Sequence, residues 1–188
     1  MPIVELHVIE GYSSTEKKRL GDALTRAVRF VVPARPELVT VLIHEKPAQD
    51  YYRGGVTRSP APANPDPQDI VRSFLAEMEA RNLTQAEKML APDLRMYFPG
   101  TPAMRTLNEL VEWAAPRYRQ ITKTYEGFDA MQSAGDASIV YCRGTLSGEW
   151  PDGSTFAGIR FIDRFEIQDG LITRQDVWND IAEVKAQA

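Results

Sequence analysis

A proline-rich segment divides this chain into two parts. Four prolines fall within the nine residues from Ser59 to Pro67. Because proline has no backbone N–H and a fixed φ, such a segment favours an extended spacer over a helix or a central strand. We therefore expect an N-terminal domain at residues 1–58, a linker at residues 59–66 and a C-terminal domain at residues 67–188. Asp66 and Asp69 flank Pro67 in the pattern of a helix start, so a helix should open the second domain.

Composition excludes several classes of protein. The 188 residues are 43% hydrophobic and 26% charged, with a net charge of −4, which is typical of globular proteins and argues against nucleic-acid binding. Cys142 is the single cysteine, so neither an internal disulfide nor a cysteine metal site is expected, and a reducing cytoplasm suits the chain. No apolar run approaches the ~18 residues of a membrane span. We expect a cytoplasmic protein without a membrane partner.

The first domain has the pattern of a strand–helix–strand unit. Val4, Leu6 and Val8 alternate with other residues as in a strand, and Ser13 with Glu16 forms a helix-capping box. A second strand is predicted at residues 39–45. Two strands joined by a helix in one sheet are normally parallel with a right-handed crossover.

The N-terminus itself carries possible chemistry. Removal of Met1 would leave Pro2 as a free secondary amine at the start of the first strand. An α-amino group titrates near pH ~8, and burial in an apolar pocket lowers that value. A base near neutrality can remove a proton from a carbon next to a carbonyl group.

Other positions extend this pattern: Glu10-Gly11 after the first strand, Glu45 at the end of the second, and an aromatic residue before Gly54-Gly55. With Pro2, they make residues 2–58 resemble the 4-oxalocrotonate tautomerase family. The resemblance implies Pro2 as general base, Tyr51 as a wall of the pocket, and a hairpin at the two glycines. It also implies a homo-oligomer, either a dimer or a hexamer, with active sites between subunits and no cofactor.

The resemblance has one departure that bears on the substrate. Tyr12 and Thr40 stand where the family carries two arginines that hold its substrate. A hydroxyl donates one hydrogen bond and cannot replace the charged, bidentate guanidinium. We therefore expect Tyr12 and Thr40 to contact a small neutral or monoanionic carbonyl compound. His7 and His44 are interpreted as ordinary strand residues, and no metal site is expected.

The second domain is predicted to be α+β, with helices first and an antiparallel meander afterwards, at residues 122–131, 137–149, 154–168 and 171–179. Thr84 is the expected cap of its second helix. The segments from Phe161 to Ile172 and from Asp176 to Asp180 resemble the nuclear-transport-factor-2-like superfamily, in its SnoaL-type polyketide-cyclase-like branch. That resemblance implies a cone-shaped barrel enclosing a cavity.

Asp163 is the principal candidate in this domain. It alternates with Ile159, Phe161, Phe165 and Ile167, so a carboxyl group falls on an otherwise apolar face. It is either protonated near neutral pH or paired with Arg143 on the neighbouring strand. Strand parity further suggests that the same space is lined by Tyr97, Tyr141, Gln175 and Asn179.

Neither catalytic set known in the superfamily is complete in the second domain, although Asp163 matches an aspartate of the ketosteroid isomerases and Arg143 an arginine of the epoxide hydrolases. Phe74 and Phe98 stand where its ketosteroid isomerases carry a tyrosine and a base, and Thr145 and Val177 where its epoxide hydrolases carry acids. Two hypotheses follow. The protein is a keto–enol tautomerase or isomerase that uses Pro2, or it is a non-catalytic ligand-binding and oligomerisation protein with a degenerate tautomerase domain.

Overall fold

A computed structural model describes residues 1–186, and its chain divides into two units, Met1–Ala63 and the remainder from Asn64. The division lies inside the predicted linker, whose bounds of 59–66 stay a prediction. Both units mix helices and strands, so the α+β class is confirmed. None of the helices in residues 1–186 is long and apolar enough to cross a membrane.

The N-terminal unit is a strand–helix–strand element followed by a small hairpin. Its order is β1 (Ile3–Ile9), α1 (Ser14–Val31), a 3₁₀ turn (Pro36–Leu38), β2 (Thr40–Lys46), a second 3₁₀ turn (Ala48–Asp50), β3 (Tyr52–Arg53) and β4 (Val56–Thr57). β1 and β2 are parallel, with Ile3 opposite Thr40 and Ile9 opposite Lys46. The predicted capping box is present, since Ser13 accepts from the Glu16 amide and Glu16 accepts from the Ser13 amide. Gly54 and Gly55, both with positive φ, form the hairpin turn.

The N-terminal unit does not bury a core of its own. Across residues 1–186, the buried apolar side chains all lie between Val71 and Val177. Several large apolar side chains of the N-terminal unit are exposed, including Ile3 at 63%, Leu42 at 41% and Phe30 at 93%. The single helix α1 covers only one face of the parallel two-stranded sheet. The other face therefore remains open to solvent in a single chain.

The C-terminal unit is a five-stranded sheet with helices. Its elements are α2 (Pro67–Glu79), α3 (Leu83–Glu87), β5 (Leu90–Tyr97), α4 (Leu107–Ala114), β6 (Gln120–Gln132), β7 (Ser138–Glu149), β8 (Thr155–Gln168), β9 (Leu171–Asn179) and α5 (Ile181–Lys185). The strand order is β5-β9-β8-β7-β6. The meander from β6 to β9 is antiparallel, as predicted, and β5 joins its edge parallel to β9.

Local signals at the helix starts account for most of the helix positions. Asp66 accepts a hydrogen bond from the Gln68 amide, so α2 begins at Pro67 as expected. A second capping box, formed by Thr106 and Glu109, begins α4. The prediction of Thr84 as a cap is wrong, because α3 begins one residue earlier with Asn82 in the capping position and no side-chain cap.

Two glycines of β7 lie where the backbone of β6 approaches closely. A Cβ atom added to Gly144 would lie 1.9 Å from the Thr124 carbonyl oxygen, and one added to Gly148 would lie 2.1 Å from the Gln120 carbonyl oxygen. The β6–β7 and β7–β8 ladders shift register near these glycines, and such bulges increase local bend and twist. The inner face packs against α2 in a core that includes Phe74, edge-on to Phe165.

Candidate functional sites

Pro2 and Thr40 lie together at one end of the N-terminal sheet. The backbone N–H of Thr40 donates to the carbonyl oxygen of Pro2 at 3.0 Å, which continues the parallel ladder beyond Ile3. Both residues are partly buried, whereas Met1 is 84% exposed. The residue that would become the N-terminus after loss of Met1 is therefore held at a defined position on the sheet.

Tyr12 and Tyr51 lie at the opposite end of that sheet. Tyr12 lies three residues beyond the end of β1, and Tyr51 lies five residues beyond the end of β2, which runs in the same direction. The seven residues of β1 span roughly 20 Å at ~3.3 Å per residue. The four side chains predicted to form the tautomerase site are thus divided in one chain, with Pro2 and Thr40 far from the two tyrosines.

His7 and His44 contact each other, which the sequence spacing did not show. They are opposite residues of β1 and β2, and their rings stack with centroids 4.7 Å apart. With Glu5 they form a group whose metal-ligating atoms all lie within 4.8 Å of one another. Two histidines and a carboxylate are a donor set that zinc accepts. Glu5 and His7 are exposed, and the group lies on the open face of the sheet.

Asp163 lies on the inner face of the C-terminal sheet, as predicted, and is fully buried. Its partner is Lys123 of β6, whose Nζ contacts the carboxylate oxygen Oδ2 in an ion pair and hydrogen bond. Nζ also lies 4.5 Å from the centroid of the Phe161 ring. The Lys123 side chain is 21% exposed, and its ammonium group thus contacts both a carboxylate and the face of an aromatic ring.

The predicted pairing of Asp163 with Arg143 is wrong, and so is the placement of Arg143 in the cavity. In the β7–β8 ladder Asp163 is opposite Cys142, and Arg143 is opposite Ile162. Directly opposite residues share a face, so Arg143 projects from the outer face. There it donates to Asp129 at 2.5 Å, with half of its side chain exposed.

Strand parity correctly placed two of the other four polar candidates on the inner face. Gln175 lines the larger of two cavities there and Asn179 the smaller. Tyr97 does not face the cavity; it is 36% exposed with the Arg174 guanidinium 4.6 Å above its ring. Tyr141 lies opposite Asp129, on the outer face.

Two adjoining cavities lie between the sheet and the helices. The larger has a volume of about 130 Å³ and the smaller about 70 Å³. Four residues line both of them, so the cavities meet at Phe98, Tyr118, Ile121 and Lys123. The exposed residues Glu79 and Arg81 also line the larger cavity, which places its opening at the end of α2. Phe74 and Phe98 add two aromatic rings to its wall.

Several polar atoms at these cavities have no hydrogen-bond partner among the described residues. They are the Asp163 Oδ1, Gln175 Oε1 and Trp113 Nε1 atoms. Asp163 and Trp113 line the smaller cavity, and Gln175, at 4% exposed, lines the larger. Buried polar atoms are nearly always paired, and leaving one unpaired costs free energy. The cavities therefore present two free acceptors and one free donor to whatever occupies them.

The surroundings of Asp163 shift several pKa values. Burial raises the pKa of Asp163, while Lys123 and the nearby Gln175 amide act in the opposite direction without cancelling the increase. Burial and the Asp163 charge raise the pKa of Cys142 to about 12, so this thiol stays protonated. Burial likewise raises the pKa of Tyr125 and of Tyr118, both of which line the larger cavity. These phenols are hydrogen-bonding groups and not bases at neutral pH.

Sequence reasoning missed Lys123, Trp113, Tyr118 and Tyr125 as cavity residues. One signal for Lys123 was present in the sequence. It alternates with Ile121 and Tyr125 along β6, so a cation falls on an otherwise apolar face, as Asp163 does on β8. Trp113 and Tyr118 lie at and beyond the end of α4, where alternation does not apply.

Comparison with known families matches both units. The SnoaL-like domain family matches residues 71–175, and the tautomerase enzyme family matches residues 2–59. Among curated proteins, none matches the chain.

Solved structures share the fold of the C-terminal unit. An NTF2-like protein of unknown function from Burkholderia pseudomallei has 16% sequence identity and a TM-score of 0.53, over 63% of this chain and 94% of its own. An NTF2-like protein from Burkholderia thailandensis has 20% identity and a TM-score of 0.51, over 65% and 96%. A protein described as a candidate polyketide cyclase, from Xanthomonas campestris, has 16% identity and a TM-score of 0.51, over 64% and 94%. At these identities the likeness shows the fold alone.

Proposed function

Because the chain belongs to the SnoaL-like domain family and joins to that domain an N-terminal tautomerase domain, we propose that it is a keto–enol tautomerase or isomerase with Pro2 as its general base. The observation that carries this proposal is the tautomerase match, which begins at Pro2 itself. The hydrogen bond from Thr40 supports it, since that bond holds Pro2 at the end of β1.

The proposed reaction needs only proton transfers. Once Met1 is removed, the Pro2 nitrogen takes a proton from the carbon next to the substrate carbonyl. The electrons of that C–H bond form the enol double bond and the carbonyl π electrons move to the oxygen, which takes a proton from water. The protonated Pro2 nitrogen then returns its proton to water. The reverse steps return the ketone, so atoms and charge balance without a cofactor. A hydroxyl such as that of Thr40, beside Pro2, is suited to donate a hydrogen bond to the oxygen as charge develops on it.

The proposed substrate is a small neutral or monoanionic carbonyl compound. Tyr12 and Thr40 supply hydroxyl groups in place of guanidinium groups, and a hydroxyl offers a second carboxylate neither charge nor a bidentate contact. Phenylpyruvate carries one carboxylate and enolises readily, whereas oxaloacetate carries two. We expect the monoanion to react with the higher kcat/KM.

The proposed active form is a homo-oligomer, a dimer or a hexamer. In one chain Pro2 and Tyr51 lie at opposite ends of the sheet, so a complete site requires a neighbouring copy that brings its Tyr12 and Tyr51 to Pro2. The open face of the sheet, with exposed Ile3 and Leu42, supports such an assembly because the N-terminal unit buries no core alone.

The test compares proteins that differ only at the N-terminus. Mass spectrometry first establishes that Met1 is absent, and ultraviolet absorbance then follows ketonisation of phenylpyruvate enol. We expect activity in this protein, a large loss of kcat in Pro2→Ala, and none when Met1 is retained, because the Pro2 nitrogen is then an amide. Equal activity in the Met1-retaining protein would overturn the proposal.

A further inference from the structure

The cavities of the C-terminal unit contain an ion pair that is only half satisfied. Lys123 uses one of its three N–H groups on Asp163 Oδ2, and Asp163 Oδ1 has no partner among residues 1–186. A carboxylate oxygen accepts hydrogen bonds only, so its missing partner is a donor. Gln175 Oε1, on the adjacent strand, lacks a donor as well.

The same region offers hydrogen-bond donors that are free. Trp113 lines the smaller cavity, and its indole N–H is buried without an acceptor. Lys123 lines both cavities and keeps two further N–H groups. An occupant with one hydroxyl and one carbonyl group would satisfy a free acceptor and a free donor together.

The charges of the site balance. Lys123 and Asp163 form one cation and one anion in contact, so the inner part of the cavity has no net charge to neutralise. An anionic occupant would place a second negative charge beside the buried Asp163, which costs free energy in a low-dielectric interior. The site therefore favours a neutral occupant.

The available volume limits the occupant to one ring. The larger cavity measures about 130 Å³ and its walls are mostly apolar, with Phe74, Leu110 and Ile121 among them. A dry cavity of ~150 Å³ lined by similar side chains holds benzene. The adjoining space of about 70 Å³ admits a short substituent and not a second fused ring.

From these observations we propose that the C-terminal unit binds a neutral, single-ring compound carrying a hydroxyl and a carbonyl group. The ring occupies the apolar cavity, the hydroxyl donates to Asp163 Oδ1, and the carbonyl oxygen accepts from Lys123 or Trp113. A second fused ring exceeds the enclosed volume, so we expect bicyclic compounds not to bind. This site is independent of the chemistry proposed for Pro2.

The test uses a matched set of small ligands and titration calorimetry of the full chain. The three positional isomers of hydroxyacetophenone carry both groups. Two analogues of the isomer that binds best keep its substitution pattern. The methoxy analogue lacks the hydroxyl donor, and the ethylphenol lacks the carbonyl acceptor. A hydrogen bond to a charged group accounts for about a tenfold or larger change in affinity, so we expect each analogue to bind at least about tenfold more weakly. The corresponding acetylnaphthol should not bind.

Variants connect the binding to the named atoms. Asp163→Asn should weaken the best isomer about tenfold and reduce its preference over the methoxy analogue, because the ligand hydroxyl then loses a charged acceptor. Asp129→Asn is the matched control, because it removes a carboxylate from an ion pair on the outer face, and it should bind as the unaltered protein does. Near-ultraviolet circular dichroism establishes that each variant is folded. If Asp163→Asn does not fold, the relative affinities of the ligand set test the proposal.

Other outcomes would overturn the inference. They are absence of saturable binding by all three isomers at millimolar concentration, equal affinity for the methoxy analogue, or tighter binding of the acetylnaphthol. In the first case water alone satisfies Asp163 Oδ1. Pro2→Ala protein should bind the ligand unchanged, so a failure of the tautomerase proposal and a failure of this one are distinguishable.

Discussion

Lys123 and Asp163 form a buried ion pair across an intervening strand. Lys123 belongs to β6 and Asp163 to β8, and β7 lies between them in the sheet. Lys123 is opposite Leu146 of β7, whereas Asp163 is opposite Cys142, so the pair spans the intervening strand and four residues along it. The long lysine side chain crosses the inner face of β7 to reach a carboxylate that is fully buried.

Removal of Lys123 should destabilise the protein strongly. Lys123→Met keeps the length of the side chain and leaves Asp163 as a buried carboxyl without its cation, at a cost of about 3–5 kcal/mol in the free energy of unfolding. Arg143→Met is the control, since it breaks the exposed pair with Asp129 and should cost at most about 1 kcal/mol. Urea unfolding measures both. Equal losses in the two variants would contradict the assignment of Lys123 as the partner.

Stability should depend on pH through Asp163. Burial raises the pKa of Asp163 in the folded protein above the ordinary value of ~3.9. Between these two pKa values the folded state holds a proton that the unfolded state has lost, and above the folded-state pKa the carboxylate pairs with Lys123. The Asp163 contribution is therefore complete below about pH 4 and declines as the pH rises through the folded-state pKa. We expect the free energy of unfolding, relative to Asp163→Asn, to fall between pH 4 and pH 7.

Urea unfolding at pH 4, 5.5 and 7 measures this difference. Gln175→Leu retains the carboxyl group and should retain the decline relative to Asp163→Asn. A difference that is constant, or that grows with pH, would show that the pKa of Asp163 is not raised in the folded protein.

The close approach of β6 and β7 should not tolerate a side chain at Gly144. The added Cβ would meet the Thr124 carbonyl oxygen at 1.9 Å, and the backbone cannot yield as a flexible side chain does. Gly144→Ala should reduce the free energy of unfolding by about 3 kcal/mol, at the upper end of overpacking effects. Gly21→Ala is the control: nothing lies within 4 Å of its added Cβ, and in helix α1 alanine should stabilise by about 0.5–1 kcal/mol. Thermal unfolding measures the stability of both variants. A small loss of stability in Gly144→Ala would contradict the observed register of β6 and β7.

If each active site combines residues of two copies of the chain, two inactive variants should restore activity to each other. If one copy supplies Pro2 and another supplies Tyr51, neither Pro2→Ala nor Tyr51→Ala protein has a complete site. Co-expressed as mixed oligomers, they should regain part of the activity, because some interfaces then combine an intact Pro2 with an intact Tyr51. Light scattering should also return an oligomer at micromolar concentration. A stable, active monomer, or no regain in proven mixed oligomers, would contradict a site between subunits.

Features that depend on neighbours in the chain could be predicted from the sequence. The capping box of Ser13 with Glu16, the helix start at Pro67 and the alternation that turns Asp163 inward all involve residues a few positions apart. Both family resemblances rested on such local runs, and both are confirmed by the family matches. Thr84 shows the limit of local signals, since two residues earlier Asn82 already occupies the capping position.

Features that depend on register and on distant strands were decided by the tertiary structure alone. The sequence predicted that Asp163 is either protonated or paired with Arg143, and it did not identify Lys123 as the partner. The β7–β8 register turned Arg143 outward, and the bend of the sheet brought Lys123, 40 residues away in sequence, to the carboxylate. Parallel pairing likewise placed His7 against His44 and put Pro2 far from Tyr51. The physical reason is common to these cases: a strand's alternation determines which side chains share a face, whereas their contacts depend on strand order and register, which long-range packing determines.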